Sequence, residues 1–161
     1  MEALDALLAR ERGNHQLWCS VVPGLSEASI ERYCRRSPRR FARVLDGLSR
    51  ELGDEPPFEL CDEVARFYAA VFRVACDEEV RVLALRLLFA LGRAQDRFAI
   101  GDVVRAVLWT VRGREQVELA VRAIEGSPDA AWYAHRHTLR GPLPAPVRRA
   151  LVRTTRPLHP V

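Results

Sequence analysis

Histidines and neighbouring acidic residues are the side chains of this sequence best suited to catalysis or metal binding. His135 and His137 are two residues apart, whereas two zinc ligands on one face of a helix need a spacing of about four residues. The acidic pair Glu78-Glu79 lies at the start of a predicted helix, where carboxylates stabilise the positive end of the helix dipole. Nucleophilic catalysis needs a base and an orienting group, and the sequence shows no pattern of that kind. The sequence therefore predicts a protein that is not an enzyme and binds no metal and no cofactor.

The four cysteines are widely spaced along the chain, at Cys19, Cys34, Cys61 and Cys76. None belongs to a Cys-x-x-Cys pair, and their spacing does not match that of a zinc site. The chain also opens on a charged amphipathic segment that does not resemble a signal peptide. We therefore expect a reducing, intracellular compartment in which all four thiols are unpaired.

The basic residues are of one type only. The chain has 161 residues, and all 25 of its basic residues are arginine. Codon bias in a GC-rich genome, bacterial or that of a large DNA virus, produces such a composition. A surface without lysine also offers no side chain for ubiquitin attachment, which suits a protein that works inside a host cell.

Charge and hydropathy argue against two classes of partner. The net charge of +4 is small, and the densest basic cluster, Arg35-Arg36 with Arg39-Arg40, has no ladder of aromatic residues nearby on which bases could stack. No stretch reaches the roughly 18 apolar residues of a membrane span, and the best candidate, Val80 to Leu91, contains Arg81 and Arg86. We therefore expect neither a nucleic-acid partner nor a transmembrane anchor.

Apolar residues recur at three- and four-residue steps along most of the chain, as in amphipathic helices. No stretch shows the period of two that is typical of a strand. Capping residues, glycines and prolines mark the helix ends. The predicted helices cover 2–12, 26–36, 38–52, 58–76, 80–92, 101–112, 114–125, 128–139 and 145–153, with a further turn over 16–22. The sequence thus predicts an all-α fold, in which residues 1–155 form a single domain of about eight helices around a central hydrophobic helix, and 156–161 form a polar tail.

Two of these predicted helices, Phe58 to Cys76 and Val80 to Gly92, are apolar on nearly every side. A helix of this kind is stable in the middle of a bundle, where neighbours cover all its faces. We therefore expect one of them to be a central helix that is buried along its whole length.

The stretch from Asp77 to Gly92 resembles the second helix of a HEAT repeat in its acidic, Val-Arg, Ala and Leu positions. The match covers one helix, and the sequence contains no second copy, although a solenoid needs several similar units. This resemblance implies that the chain is a fragment of a HEAT-like scaffold.

A longer match is ordered along the chain. Ile30 lies where the Bcl-2-like apoptosis regulators have the main leucine of their BH3 segment, and Phe41 to Leu52 resembles the aromatic- and Leu-containing stretch that follows it. Val64 to Phe72 is similar to the helix that leads into the family's first homology motif. Arg81-Val-Leu-Ala-Leu85 resembles the start of the family's central helix, and Trp109 to Gly113 resembles its Trp-x-x-x-x-Gly-Gly motif. Ile30 to Gly113 therefore resembles the Bcl-2-like family.

The chain departs from the family pattern just before the arginine, where Glu78-Glu79-Val80 replaces Asn-Trp-Gly. Divergence of this degree is familiar among viral members of the family. The resemblance therefore implies a viral protein that acts on its host, in the cytoplasm or peripherally at mitochondria.

The resemblance also implies a mechanism. An amphipathic BH3 helix of a pro-apoptotic partner would lie in a surface groove, and Arg81 would pair with the acidic residue of that helix. The other residues implied to line the groove are apolar: Phe41, Leu45, Leu48, Val64, Phe67, Phe72, Leu83 and Ala84.

Two other functions are open on the sequence alone. A protein with the same fold could block innate-immune signalling adaptors through an outer face, and a narrow or filled groove would favour that function. The HEAT-like scaffold fragment is the other. Partners in either case are helical proteins, and a second copy of this chain, giving a homodimer, is a further candidate.

Overall fold

The computed structural model describes residues 22–52, 58–95, 98–125, 127–136 and 142–155. Every regular element in these ranges is helical, which confirms the predicted all-α fold. The predicted helix over 2–12, Cys19, His137 and the tail over 156–161 lie outside the described residues.

The described part of the chain contains a short 3₁₀ turn, Val22–Gly24, followed by eight α-helices. In chain order these are α1 (Glu27–Arg36), α2 (Pro38–Leu52), α3 (Phe58–Val74), α4 (Glu78–Ala94), α5 (Phe98–Thr110), α6 (Gly113–Ile124), α7 (Pro128–Arg136) and α8 (Ala145–Thr155). None of them is both long and apolar enough to cross a membrane.

Side-chain caps fix the starts of the first helices and of α4. The Ser26 hydroxyl accepts a hydrogen bond from the backbone N–H of Ser29 at 3.1 Å, which caps α1. The Asp77 carboxylate accepts one from the backbone N–H of Val80 at 3.0 Å, which caps α4. These bonds satisfy N–H groups that have no partner within the helix. The Ser26 cap was expected, and the Asp77 cap makes α4 begin two residues earlier than predicted.

The C-terminal end of α4 lies two residues beyond the predicted one. Gly92 was expected to stop the helix, but α4 continues to Ala94. A Cβ atom at Gly92 would lie 3.7 Å from Ile100 and 3.8 Å from Val104, both on α5. The glycine therefore lies inside the helix at a point where α5 comes close to the α4 backbone.

The central helix is α4, which packs against α2, α3, α5, α6 and α7. Its longest contact is with α3, the preceding helix. Leu85, Leu88 and Phe89 on α4 are completely buried, and the Phe89 ring lies 5.9 Å from that of Tyr133 on α7. The α4 helix thus joins the N-terminal helices to the C-terminal ones through one core.

The prediction that this helix is buried along its whole length is wrong. Leu83, Leu87 and Ala90 are only half-buried, and Arg86 and Ala94 are exposed. Each of these residues lies three or four positions from another of them, so they share one side of α4. Five neighbouring helices cover the rest of α4 and leave this stripe open.

Candidate functional site

Arg81, the residue implied to bind a partner's carboxylate, lies in the interior. Its side chain is 9% exposed. Its Nε donates a hydrogen bond to the backbone carbonyl of Phe72 at 2.7 Å, and its Nη1 pairs with Glu115 at 3.1 Å. The guanidinium carbon also lies 5.6 Å from the centre of the Phe72 ring, within the range of a cation–π contact. Arg81 therefore ties α3, α4 and α6 together, and the expectation that it is a non-core residue free to bind a ligand is corrected.

The other residues implied to line the groove are also mostly interior. The structure buries seven of them almost completely, namely Phe41, Leu45, Leu48, Val64, Phe67, Phe72 and Ala84. Leu83 alone of the set is half-buried. The Phe41 ring is packed between those of Tyr33 and Phe67, at centre distances of 5.3 and 6.2 Å. The implied groove is therefore filled by core side chains, and Leu83 is the member that remains accessible.

The Trp109 to Gly113 stretch connects α5 to α6. Trp109 is partly buried against the core. Gly113 has a φ of 76°, a left-handed backbone conformation that favours glycine. The backbone N–H of Arg112 donates to the side chain of Gln116 at 3.0 Å, which helps to close the start of α6. In this structure the stretch consists of the last two residues of α5, a two-residue connection and the first residue of α6.

An open site does exist beside the stripe of α4. A cavity of about 460 Å³ lies between the N-terminal halves of α2 and α4. Pro38, Arg39 and Ala42 line it from α2, and the lining on the α4 side includes the carboxylates of Asp77 and Glu79 as well as Leu83 and Arg86. The N-terminal half of α2 thus forms a wall, and α4 forms the floor.

A second cavity, of about 170 Å³, lies along the same two helices near their C-terminal ends. Ser49 and Leu52 line it from α2, and Leu87, Ala90 and Ala94 line it from α4. Residues 83 to 94 of α4 extend over about 16 Å, or roughly three helical turns. We call the surface formed by the two cavities and the Leu83–Leu87–Ala90 stripe the α2–α4 groove.

The far side of the groove is fixed by hydrogen bonds to α6. Arg86 donates to the backbone carbonyls of Arg122 at 2.9 Å and of Ala123 at 3.4 Å. Arg122 in turn pairs with Glu78 at 3.5 Å and with Glu79. These contacts hold α4 and α6 together, and they bind the charged groups on this side to one another.

One sequence signal points to the α4 face of the α2–α4 groove, but it does not show that this face is open. Leu83, Leu87 and Ala90 have the i, i+4, i+7 spacing of one helix face. The same spacing is found on faces that are fully covered in this fold, so the pattern does not tell which face stays open. From the sequence, neighbouring helices were expected to cover every face of the central helix, and this expectation was wrong for the face that carries Leu83, Leu87 and Ala90.

The thiols of the described cysteines differ in environment. None of Cys34, Cys61 and Cys76 forms a disulfide bond. Cys34 and Cys61 are buried, and Cys76 is exposed in the connection between α3 and α4. Burial raises the pKa of the Cys34 thiol to about 11, and a hydrogen bond with the Cys76 thiol adds to the rise, while backbone N–H groups of Asp77 and Cys76 oppose it. Only a very small fraction of Cys34 is a thiolate at neutral pH.

We expect one of these three thiols to react with an alkylating reagent much faster than the other two. In a Cys19→Ser background, iodoacetamide at pH 7.5 should alkylate Cys76 at least tenfold faster than Cys34 or Cys61, since the thiolate is the reactive form and must be reached by the reagent. Peptide mapping by mass spectrometry measures the three rates, and unfolding in urea should make them similar. Equal rates in the folded protein would contradict the described burial.

No group of three or more histidines, cysteines or carboxylates in the described ranges is arranged to hold a metal ion. The chemistry that the α2–α4 groove offers is non-covalent: an apolar floor with charged side chains at its edges.

Comparisons with protein-family models, with curated protein sequences and with solved structures gave no match for this chain.

Proposed function

We propose that this protein is a non-enzymatic regulator that binds an amphipathic helix of another protein in the α2–α4 groove. The observation that carries the proposal is the stripe of Leu83, Leu87 and Ala90, which the central helix leaves half-buried. An amphipathic helix presents apolar residues at i, i+3 or i+4 and i+7, the spacing that this stripe repeats. Covering it would remove apolar surface from water, which is the main driving force for such contacts.

The resemblance of Ile30 to Gly113 to the Bcl-2-like family suggests which helix this is. We propose a BH3 helix of a pro-apoptotic protein, so that the chain acts as an inhibitor of apoptosis by sequestering that partner. Two features support the proposal: α4 contacts five other helices, and the cavity of about 460 Å³ between α2 and α4 can accept large apolar side chains. A HEAT-like fragment is less well supported, because helices in a solenoid contact only the neighbouring repeats.

The second candidate is inhibition of innate-immune signalling adaptors through an outer face. The observation that favours it is the filling of the groove implied by the family resemblance, where Phe41, Leu45 and Phe67 are core residues. Under this proposal the outer surface away from α2 and α4 carries the binding. Val152 on α8, 48% exposed, is the large apolar side chain most exposed among the described residues.

Leu83→Glu tests the groove. Calorimetric titration of the full chain with a panel of BH3 peptides should show binding by the wild type. The variant should bind at least tenfold more weakly, which is about 1.4 kcal/mol, because a carboxylate would be buried against the apolar side of the ligand. Leu83 is half-buried, so the variant should keep its helical content and a melting temperature near that of the wild type.

The matched control is Val152→Glu, which introduces the same charge at an exposed apolar position on α8. This variant should bind BH3 peptides as the wild type does. If the wild type binds none of the peptides, the BH3 proposal fails and the signalling-adaptor function replaces it. If Leu83→Glu binds as well as the wild type, the α2–α4 groove is not the binding site.

A further inference from the structure

The junction of α1 and α2, from which Arg39 reaches the α2–α4 groove, carries an excess of positive charge. The end of α1 and the start of α2 contain six exposed arginines within twelve residues, at Arg32, Arg35, Arg36, Arg39, Arg40 and Arg43. The acidic residue among them, Glu31, pairs with Arg35 at 2.7 Å. The surface at this junction is therefore strongly basic, although the chain as a whole has a net charge of only +4.

The opposite edge is balanced within the protein. Arg122 pairs with Glu78 and Glu79, and Arg86 donates to carbonyls of α6. Asp77 is occupied in capping α4. On this side each of these charged groups already has a hydrogen-bond or ion-pair partner within the protein.

Arg39 and Arg43 on the α2 edge differ from these. Neither forms an ion pair or a hydrogen bond through its side chain with the residues that the structure describes. Arg39 lines the larger cavity, next to Ala42 and across from Leu83. The Arg39 guanidinium thus lies beside the apolar floor, in a cavity that Asp77 and Glu79 also line, and is not held in an ion pair with them. A helix bound in the groove would bring one of its flanks close to this guanidinium.

We propose that the helix bound in the α2–α4 groove carries acidic side chains on the flank that faces α2, and that Arg39 and Arg43 pair with them. This inference rests on the proposed groove function and adds the chemistry of the partner. Guanidinium groups bind carboxylates through paired hydrogen bonds, which fixes orientation as well as charge. The acidic flank should face the first two turns of α2, because the exposed carboxylate of Asp46 follows on the third.

Charge at the edge of an interface contributes mainly to selectivity and to the rate of association. Among partner helices with the same apolar stripe, we therefore expect the protein to prefer those with an acidic flank. An arginine cluster could also bind nucleic acid, but the aromatic residues nearest to it in sequence, Tyr33 and Phe41, are buried and so offer no surface for base stacking. The cavity beside Arg39 combines apolar side chains such as Ala42 and Leu83 with charged ones, which favours an amphipathic protein helix.

A displayed library of amphipathic helices tests the inference. All members carry the same Leu stripe, and two flank positions on one side vary among Glu, Gln and Lys. Selection against the full-length wild-type protein should enrich Glu over Lys at these positions by about tenfold, a difference of about 1.4 kcal/mol. Selection against Arg39→Glu/Arg43→Glu should reverse the preference and enrich Lys, since like charges repel across an interface.

The control is Arg114→Glu/Arg149→Glu, which changes the net charge equally on α6 and α8 and should keep the preference for Glu. Binders with no flank preference would overturn the inference and leave the groove in place. A library from which nothing binds would overturn both. Tighter binding of a single-stranded RNA oligonucleotide than of the selected helices, lost in the Arg39→Glu/Arg43→Glu variant, would assign the arginines to nucleic acid and overturn the inference as well.

Discussion

Replacing Arg81 with glutamate is expected to lower the free energy of unfolding by about 3–5 kcal/mol, the usual cost of an uncompensated charge at a buried position. The guanidinium is 9% exposed. It donates to the Phe72 carbonyl at 2.7 Å and lies over the Phe72 ring. A carboxylate at this position would remove both contacts and would face Glu115, a like charge. Urea denaturation followed by circular dichroism measures the loss.

The control for this variant is Glu115→Gln, which removes the charge partner and leaves Arg81 in place. The side chain of Glu115 is 69% exposed, and surface ion pairs contribute about 0–1 kcal/mol, so this change should have little effect. An Arg81→Glu protein as stable as the wild type would show that Arg81 is not held in the interior, and would restore it as a candidate for binding the partner.

Phe89→Ala is expected to cost about 3–5 kcal/mol of stability, the range for removing a buried aromatic ring. Phe89 is completely buried on α4, and its ring packs against Tyr133 on α7. The cavity left behind would lie in the middle of the core, where the surrounding helices are held from several sides. The free energy of unfolding in urea is again the measurement.

Leu87→Ala on the same helix is the matched control for Phe89→Ala. Leu87 belongs to the half-buried stripe, so its loss should cost about 1 kcal/mol or less, since less of its surface is removed from water. Equal losses at positions 87 and 89 would contradict the difference in burial between the two sides of α4.

Most of the helices could be predicted from the sequence because their signals are local. Ser26 caps α1, Pro38 opens α2, and Pro128 opens α7, all as expected from residue type. The errors were in the bounds of some helices: α4 begins two residues earlier and ends two residues later than predicted, and α5 begins three residues earlier. Gly92 was expected to end α4, but it lies within the helix where α5 packs against it. The all-α fold and a central hydrophobic helix followed from the same local patterns.

The candidate site could be predicted only in part. Leu83 was named from the family resemblance and lies on the open stripe, whereas Phe41 and Phe67 are core residues. Apolar periodicity is the same for a helix face that packs against another helix and for a face that no other helix of the protein covers. Sequence spacing therefore identifies faces without saying which of them is covered.

For the charged residues Arg81 and Arg39 too, the sequence predicted the helix in which each lies but not whether the side chain is buried or exposed. From the sequence Arg81 was the residue implied to bind an acidic side chain of a partner and Arg39 was one of a cluster, and nothing distinguished a buried guanidinium from an exposed one. The helices were determined by local capping, spacing and composition. The burial of Arg81 was decided by the carbonyl of Phe72 and the carboxylate of Glu115, 34 residues away. The position of Arg39 beside an open cavity was decided by the packing of α2 on α4. Contacts between distant segments set burial and charge balance, and only the tertiary structure brings those segments together.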